Sequence, residues 1–280
     1  MSHVGQLRTL RVIDASHEAI VLDGDDDGAI PLPRAEAPAG IEIGDAIDVF
    51  VLTDSQSRPI ATTARPVVTL GHCASLRCVT TGSAGAFLDW GLTKNLLLPF
   101  AEQRRPLETG QRECVLVYLD NSGRLAASSR LDHRLDETPS GFAAWQPVSL
   151  LICQRTDLGF KAVVDDHAIG LLYRDEIFRE LQVGERIGGF VKRPRADGRL
   201  DVALQPPANE VKGELAERIV DDLRTRGGSS TLTDRSSPEA IAEAYGVSKK
   251  NYKRALASLY RARRVRLDAD RVVLLDDKAS

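Results

Sequence analysis

The stretch LQVGERIGGFVKRPRADGRLDVA, residues 181–203, has two earlier counterparts, IEIGDAIDVFVLTDSQSRPIAT at 41–62 and LETGQRECVLVYLDNSGRLAAS at 107–128. In each, a glycine (Gly44, Gly110, Gly184) opens an apolar-rich strand and a polar turn follows. An arginine (Arg58, Arg124, Arg199), 14 or 15 positions after the glycine, then starts a second short strand. A period held this closely marks one supersecondary unit used three times.

The upstream halves agree more loosely. EAIVLDGDDDGAIPLP, GAFLDWGLTKNLLLPF and GFKAVVDDHAIGLLYR each read as strand, polar turn and apolar strand. Earlier strands, GQLRTLRVIDAS, PVVTLGHCASLRCVTTG and QPVSLLICQRT, bring each unit to five. Short strands at this spacing, with one brief helical piece such as RDEIFRELQ, favour a small five-stranded barrel of the OB type over a parallel sheet.

From about residue 208 the period changes. Val211, Leu215, Ile219 and Leu223 form an i, i+4 apolar face that stops at Gly227-Gly228, the pattern of an amphipathic helix. A second helix follows with Ser237 as N-cap and Pro238 in its first turn, then a Gly246-Val247-Ser248 turn and a third helix over Lys249–Arg261. Two strands around DAD close the segment, giving the element order of a winged helix-turn-helix. The fold class is therefore mainly β with an α+β C-terminal module: barrels at 1–65, 66–139 and 140–207, and a winged helix at 208–280.

Charge is distributed by module. Residues 1–65 hold 5 Lys+Arg against 11 Asp+Glu, residues 66–207 hold 17 of each, and residues 208–280 hold 15 against 12. An acidic front and a basic tail imply separate partners. The N-terminus MSHVGQLRTL has no apolar signal core, and no run approaches the roughly 18 apolar residues that would span a bilayer. The expectation is a cytoplasmic protein without membrane contact. Cys73, Cys78, Cys114 and Cys153 are too scattered for a disulfide framework or a tetrahedral zinc site.

Chemistry finds no foothold. DGDDDGAIPLPR begins like a calcium loop with Asp23, Asp25, Asp27 and Gly28, but Arg34 stands where a bidentate glutamate is needed. TGSAG lacks the lysine of a phosphate loop, Asp165-Asp166-His167 reads as a hairpin turn, and no histidine has a partner at triad spacing. The reading is a non-enzyme with no catalytic residue, metal or cofactor.

On an OB-type barrel the second and third strands form the ligand face, where aromatics stack bases and nearby Lys and Arg meet phosphates. Phe87 falls on the second strand of the second unit, with Trp90 in the turn after it. A phenylalanine beside Leu88 is as readily core as ligand face, and a turn tryptophan can simply cap a barrel. In the third unit Phe160 and Tyr173 stand in comparable places, joined by Lys161, Lys192, Arg193 and Arg195, which makes it the favoured face. The acidic first unit would repel a phosphate backbone. In the tail, Lys249, Lys250, Lys253 and Arg254 fall outward if Ala255, Leu256 and Leu259 face inward.

TTGSAGAFLDWGLTKNLLLPFAE is similar to the core of an S1-type RNA-binding domain, through Gly85, Phe87 and Gly91, with Pro99 where a stacking histidine is usual. The full order, carried by GAFLDWGLTKNLLLPFAEQ, GLLYRDEIF, GGFVKRPRADGRLDVALQP and SSPEAIAEAYGVSKKNYKRALASLYR, resembles the conserved virulence factor B (CvfB) family of bacterial RNA-binding proteins. The departures lie in the first unit, which is acidic, divergent and weakly S1-like. The resemblance implies RNA binding with a regulatory role, the preferred partner being single-stranded. The alternative is a DNA-binding regulator whose winged helix reads a duplex while the barrels bind partners; protein contact through the winged helix and weak self-association stay open.

Overall fold

A computed structural model describes residues 2–16, 19–54, 56–135, 141–195, 199–206 and 208–275, with backbone alone for 208–214. The first barrel is built from β1 (Leu7–Ala15), β2 (Ala19–Asp23), β3 (Ala29–Pro33), β4 (Ala46–Thr53) and β5 (Pro59–Thr62). The second uses β6 (Cys73–Gly82), β7 (Gly85–Asp89), β8 (Leu96–Pro99), β9 (Arg112–Leu119) and β10 (Leu125–Ser128), followed by the single helical turn α1 (Leu131–Arg134). The third uses β11 (Gln146–Thr156), β12 (Gly159–Val164), β13 (Ala168–Tyr173), β14 (Arg186–Pro194) and β15 (Leu200–Ala203).

All three share one connectivity, in which the first strand lies between the second and fourth and the fifth pairs with the fourth. The second and third close through a parallel pairing of strands three and five, Leu97 with Ala126 and Leu171 with Asp201. The first has the same five strands as a sheet whose outer strands are not joined by a ladder.

Alternation along the strands sends one row of side chains inward. Ile20, Leu22, Ile30 and Leu32 fill the first barrel, and Leu88, Leu96, Leu98 and Val115 the second. Leu150, Ile152, Ala162, Leu172 and Val202 are buried in the third. The first strand of each barrel carries a bulge at the same place, between Val12 and Asp14, Cys78 and Thr80, and Ile152 and Gln154. A bulge bends a strand and deepens its twist, which is how five short strands curl shut.

The helix expected over RDEIFRELQ is only a 3₁₀ turn, Arg174–Glu176, as at Arg34–Glu36 and Phe100–Glu102.

The C-terminal module comprises α2 (Ala208–Thr225), the two-residue strand β16 (Ser229–Ser230), α3 (Pro238–Tyr245), α4 (Lys249–Arg261), β17 (Val265–Leu267) and β18 (Val272–Leu274). Leu215, Ile219 and Leu223 pack with Ile241, Leu256 and Leu259 in its core; the Val211 side chain lies outside the described residues. Ser237 and Ser248 cap α3 and α4, accepting from the Ala240 and Asn251 N–H groups, and Gly246 turns the chain between them at φ 67°. A left-handed turn of that kind suits glycine.

The chain divides into two compact units, one holding the first two barrels and the other the third barrel with the winged helix.

Candidate nucleic-acid interface

Phe87 is two residues after Gly85 and sits opposite Thr80 on β6 and Leu97 on β8. Its neighbours Ala86 and Leu88 are fully buried, so alternation turns Phe87 to the outside, where it is half-buried. There it lines a groove of about 450 Å³ with Thr80, Lys94, Asn95 and Arg124, and the far wall is Leu52 and Thr53 of the first barrel. This places an aromatic face beside an amide, Lys94 and the Arg124–Asp120 ion pair, which also lines the groove, and an outward ring among polar groups is the kind of surface on which an unpaired base stacks.

Trp90 corrects the sequence reading. It is 3% exposed, its Nε1–H donates to the Lys94 carbonyl at 2.7 Å, and its ring meets Phe50 of the first barrel edge-on at 5.7 Å. Burial and that edge-to-face contact leave it no open face for a base; it joins two barrels instead. The Lys94 ammonium adds a second tie, donating to the Thr53 carbonyl at 3.2 Å.

Phe160 is not the counterpart of Phe87. Gly85 and Gly159 are equivalent, each at a φ near +148° with a third-strand carbonyl, Leu98 or Leu172, where a Cβ would go. Counting from them, Phe160 matches Ala86 and Lys161 matches Phe87, as the ladder pairs Thr80 with Phe87 and Gln154 with Lys161 confirm. Phe160 thus shares the inward side of β12 with buried Ala162 and Val164 and is itself half-buried. Tyr173 lies outward on β13, and Pro99 takes the equivalent place in the second barrel.

The cations of the third barrel are largely answered by carboxylates. Lys192 pairs with Glu176 at 2.5 Å; Arg193 Nε reaches Asp201 Oδ2 at 3.0 Å, and Arg195 Nη1 lies 3.9 Å from Asp201 Oδ1. Arg195 also donates to the Tyr173 hydroxyl at 3.4 Å. The repeats explain why. Asp54 and Asp120 hold Arg58 and Arg124 across the β4–β5 and β9–β10 turns. Arg195 stands in that place in the third barrel, so the carboxylate comes instead from the strand, as Asp201. Backbone N–H groups and the Arg58 side chain keep the Asp54 carboxyl below its usual value. At Asp120 burial pulls the other way but the same kind of bonds prevail.

On the winged helix, Lys250, Lys253 and Arg254 are exposed, while Lys249 is half-buried with Nζ 3.4 Å from the Arg235 carbonyl. Ala255, Leu256 and Leu259 are buried behind them. The sequence reading omitted Arg261 and Tyr260, both exposed, Tyr260 by 57%. Their signal was helical periodicity, since each stands seven residues after a basic position of the same face. Lys94 and Arg124 were likewise overlooked, although Arg124 is the repeat's own arginine. The wing carries opposing charge, with Arg266 paired to Asp268 and Arg271 to Asp270.

Among the described residues no cluster of His, Cys, Asp or Glu could hold a metal ion. The acidic loop at Asp25–Asp27 is a 3₁₀ turn against which the His3 backbone N–H is bonded. All four cysteines are buried and outside any disulfide, and burial first, with Glu113 nearby, pushes the Cys114 thiol up to about 11. No helix among the described residues is long and apolar enough to cross a membrane.

Residues 217–274 match the CvfB-like winged helix domain, and residues 4–64 match the S1 domain. Conserved virulence factor B of Staphylococcus epidermidis is 22% identical over 97% of this chain and 94% of its own. The chain is thus similar to conserved virulence factor B over nearly its whole length. YitL of Bacillus subtilis, an uncharacterized protein, is 28% identical over 85% of this chain and 82% of its own. A Streptococcus pneumoniae crystal structure, described as a multidomain protein with nucleic acid binding domains, aligns over 98% of this chain and 99% of that one at 21% identity and a TM-score of 0.42. The S1 match falls on the first barrel, the unit read from sequence as weakly S1-like. That barrel keeps buried inward positions, such as Ile20 and Leu32. S1 domains and winged helices point to nucleic-acid binding, and neither family is one of enzymes.

Proposed function

We propose that this chain is a cytoplasmic RNA-binding regulator, acting on gene expression after transcription, with no chemistry of its own. The observation that carries the reading is Phe87, turned outward into a groove shared with Lys94, Asn95 and Arg124. The groove takes an unpaired base, Tyr173 and Lys161 of the third barrel offer a second contact, and the exposed cations of α4 hold adjacent phosphates. Weak sites on one chain reinforce each other through effective concentration.

The second reading is duplex DNA recognition by α4, favoured by its exposed Lys250, Lys253, Arg254 and Arg261. Fluorescence anisotropy with labelled single-stranded RNA, duplex RNA and duplex DNA at two salt concentrations separates the readings. Preference for single-stranded RNA supports the proposal; preference for duplex DNA, or no binding, overturns it.

A further inference from the structure

The third barrel and α3 enclose a groove that the RNA reading does not use. It measures about 650 Å³ and is lined by Ile177, Phe178 and Ala242, all half-buried, and by the exposed carboxylates of Glu180, Glu239 and Glu243. Arg179, also on the lining, is held by Glu185 at 2.6 Å, and the hydrogen bond from Arg179 keeps the Glu185 carboxyl below its usual value. Among the described residues none of the three lining glutamates forms an ion pair. The groove's position is fixed by Gln205, whose side chain donates to the Gly246 carbonyl at 3.0 Å and accepts from Asn251 Nδ2 at 2.5 Å.

Three uncompensated carboxylates repel a phosphate backbone and an anionic membrane alike. The half-buried apolar lining asks for a ligand with apolar as well as cationic side chains. Glu239 and Glu243 stand one turn apart on α3, about 6 Å along its axis. Same-side residues of an extended chain are spaced by about 6.8 Å. We propose that this groove docks an extended basic segment of a partner protein, in which two cations at alternate positions meet Glu239 and Glu243 and a third same-side position seats an apolar side chain on Phe178. This site stands independently of the RNA reading.

The test titrates the isotope-labelled full chain with the peptide GSLSRSKSG and follows amide shifts. The expected result is saturable shifts at 177–180 and 239–243. Affinity should fall about tenfold for Glu239→Lys with Glu243→Lys, two reversed charges each acting as an exposed ion pair. It should fall for the milder Glu239→Gln with Glu243→Gln as well, a variant that removes charge without opposing the α3 dipole. Peptides GSSSRSKSG, without the apolar residue, and GSLSSRKSG, with the cations adjacent, should bind more weakly. Equal binding of all three peptides, unchanged binding by both variants, or shifts lying elsewhere would overturn the proposal. So would single-stranded RNA shifting these same amides.

Discussion

Phe87 of the second barrel and Lys161 of the third occupy the same ladder position, each two residues after a glycine that lies under a third-strand carbonyl. One barrel therefore offers a ring and the other a cation at the centre of the ligand face. Phe87→Ala should cost about 1–3 kcal/mol of single-strand affinity, the usual worth of one stacked base. Phe160→Ala should act on stability more than on affinity, because its side of β12 faces the core. Anisotropy titration of both variants, with urea melts alongside, checks the pair.

Trp90→Ala should cost about 3–5 kcal/mol of stability, as truncation of a large buried aromatic does. It removes the Phe50 contact as well as the hydrogen bond to the Lys94 carbonyl. Urea unfolding followed by circular dichroism measures the loss, which should include the first barrel.

Gly159→Ala is expected to be worse than Gly110→Ala. A Cβ at Gly159 would lie 2.0 Å from the Leu172 carbonyl oxygen, whereas at Gly110 nothing lies within 4 Å. Gly110→Ala then carries only the strain of its φ of +89°, about 1 kcal/mol or a little more. Gly159→Ala must also part β12 from β13. Thermal melts of the two variants give the comparison directly.

Replacing Lys250 and Lys253 together by Glu should weaken RNA binding and lower the slope of log affinity against log salt by about 1.4, two phosphate contacts on a single strand. Titrations at four salt concentrations read the slope. An unchanged slope would remove α4 from the RNA contact.

Acid should loosen the winged helix through Asp222. Burial alone would raise its carboxyl, but hydrogen bonds from Arg226 and Tyr245 outweigh that and hold it below 3.8. A carboxyl lowered by folding adds stability that is fully present above 3.8 and lost as pH falls through the folded value. Asp222→Asn should melt lower at pH 7 and lose less on acidification from pH 5 to pH 3, as thermal scans across that range would show.

How legible this was depended on whether a feature is local. The Gly-to-Arg interval of 14 or 15 residues carried three barrels because turn and strand lengths are set by neighbouring residues. Ser237, Gly246 and Ser248 marked the helix ends for the same reason. The equivalence of Phe87 with Lys161 was also available, by counting from Gly85 and Gly159. Matching aromatic to aromatic hid it. Trp90 could not be placed, because its partner Phe50 comes from a different barrel and no local pattern records a contact of that range. Asp201 was hidden in another way: an acidic residue on a buried strand position is only intelligible once Arg193 and Arg195 are seen beside it.

Phe50 is wholly enclosed, yet the residues that enclose it include Trp90, which leaves the ribosome later. During synthesis the first barrel emerges with an aromatic side chain uncovered, waiting for a lid that belongs to the next barrel. The nascent chain therefore passes through a stage that chaperones can grip, and a fragment ending between the two barrels would keep that sticky spot permanently.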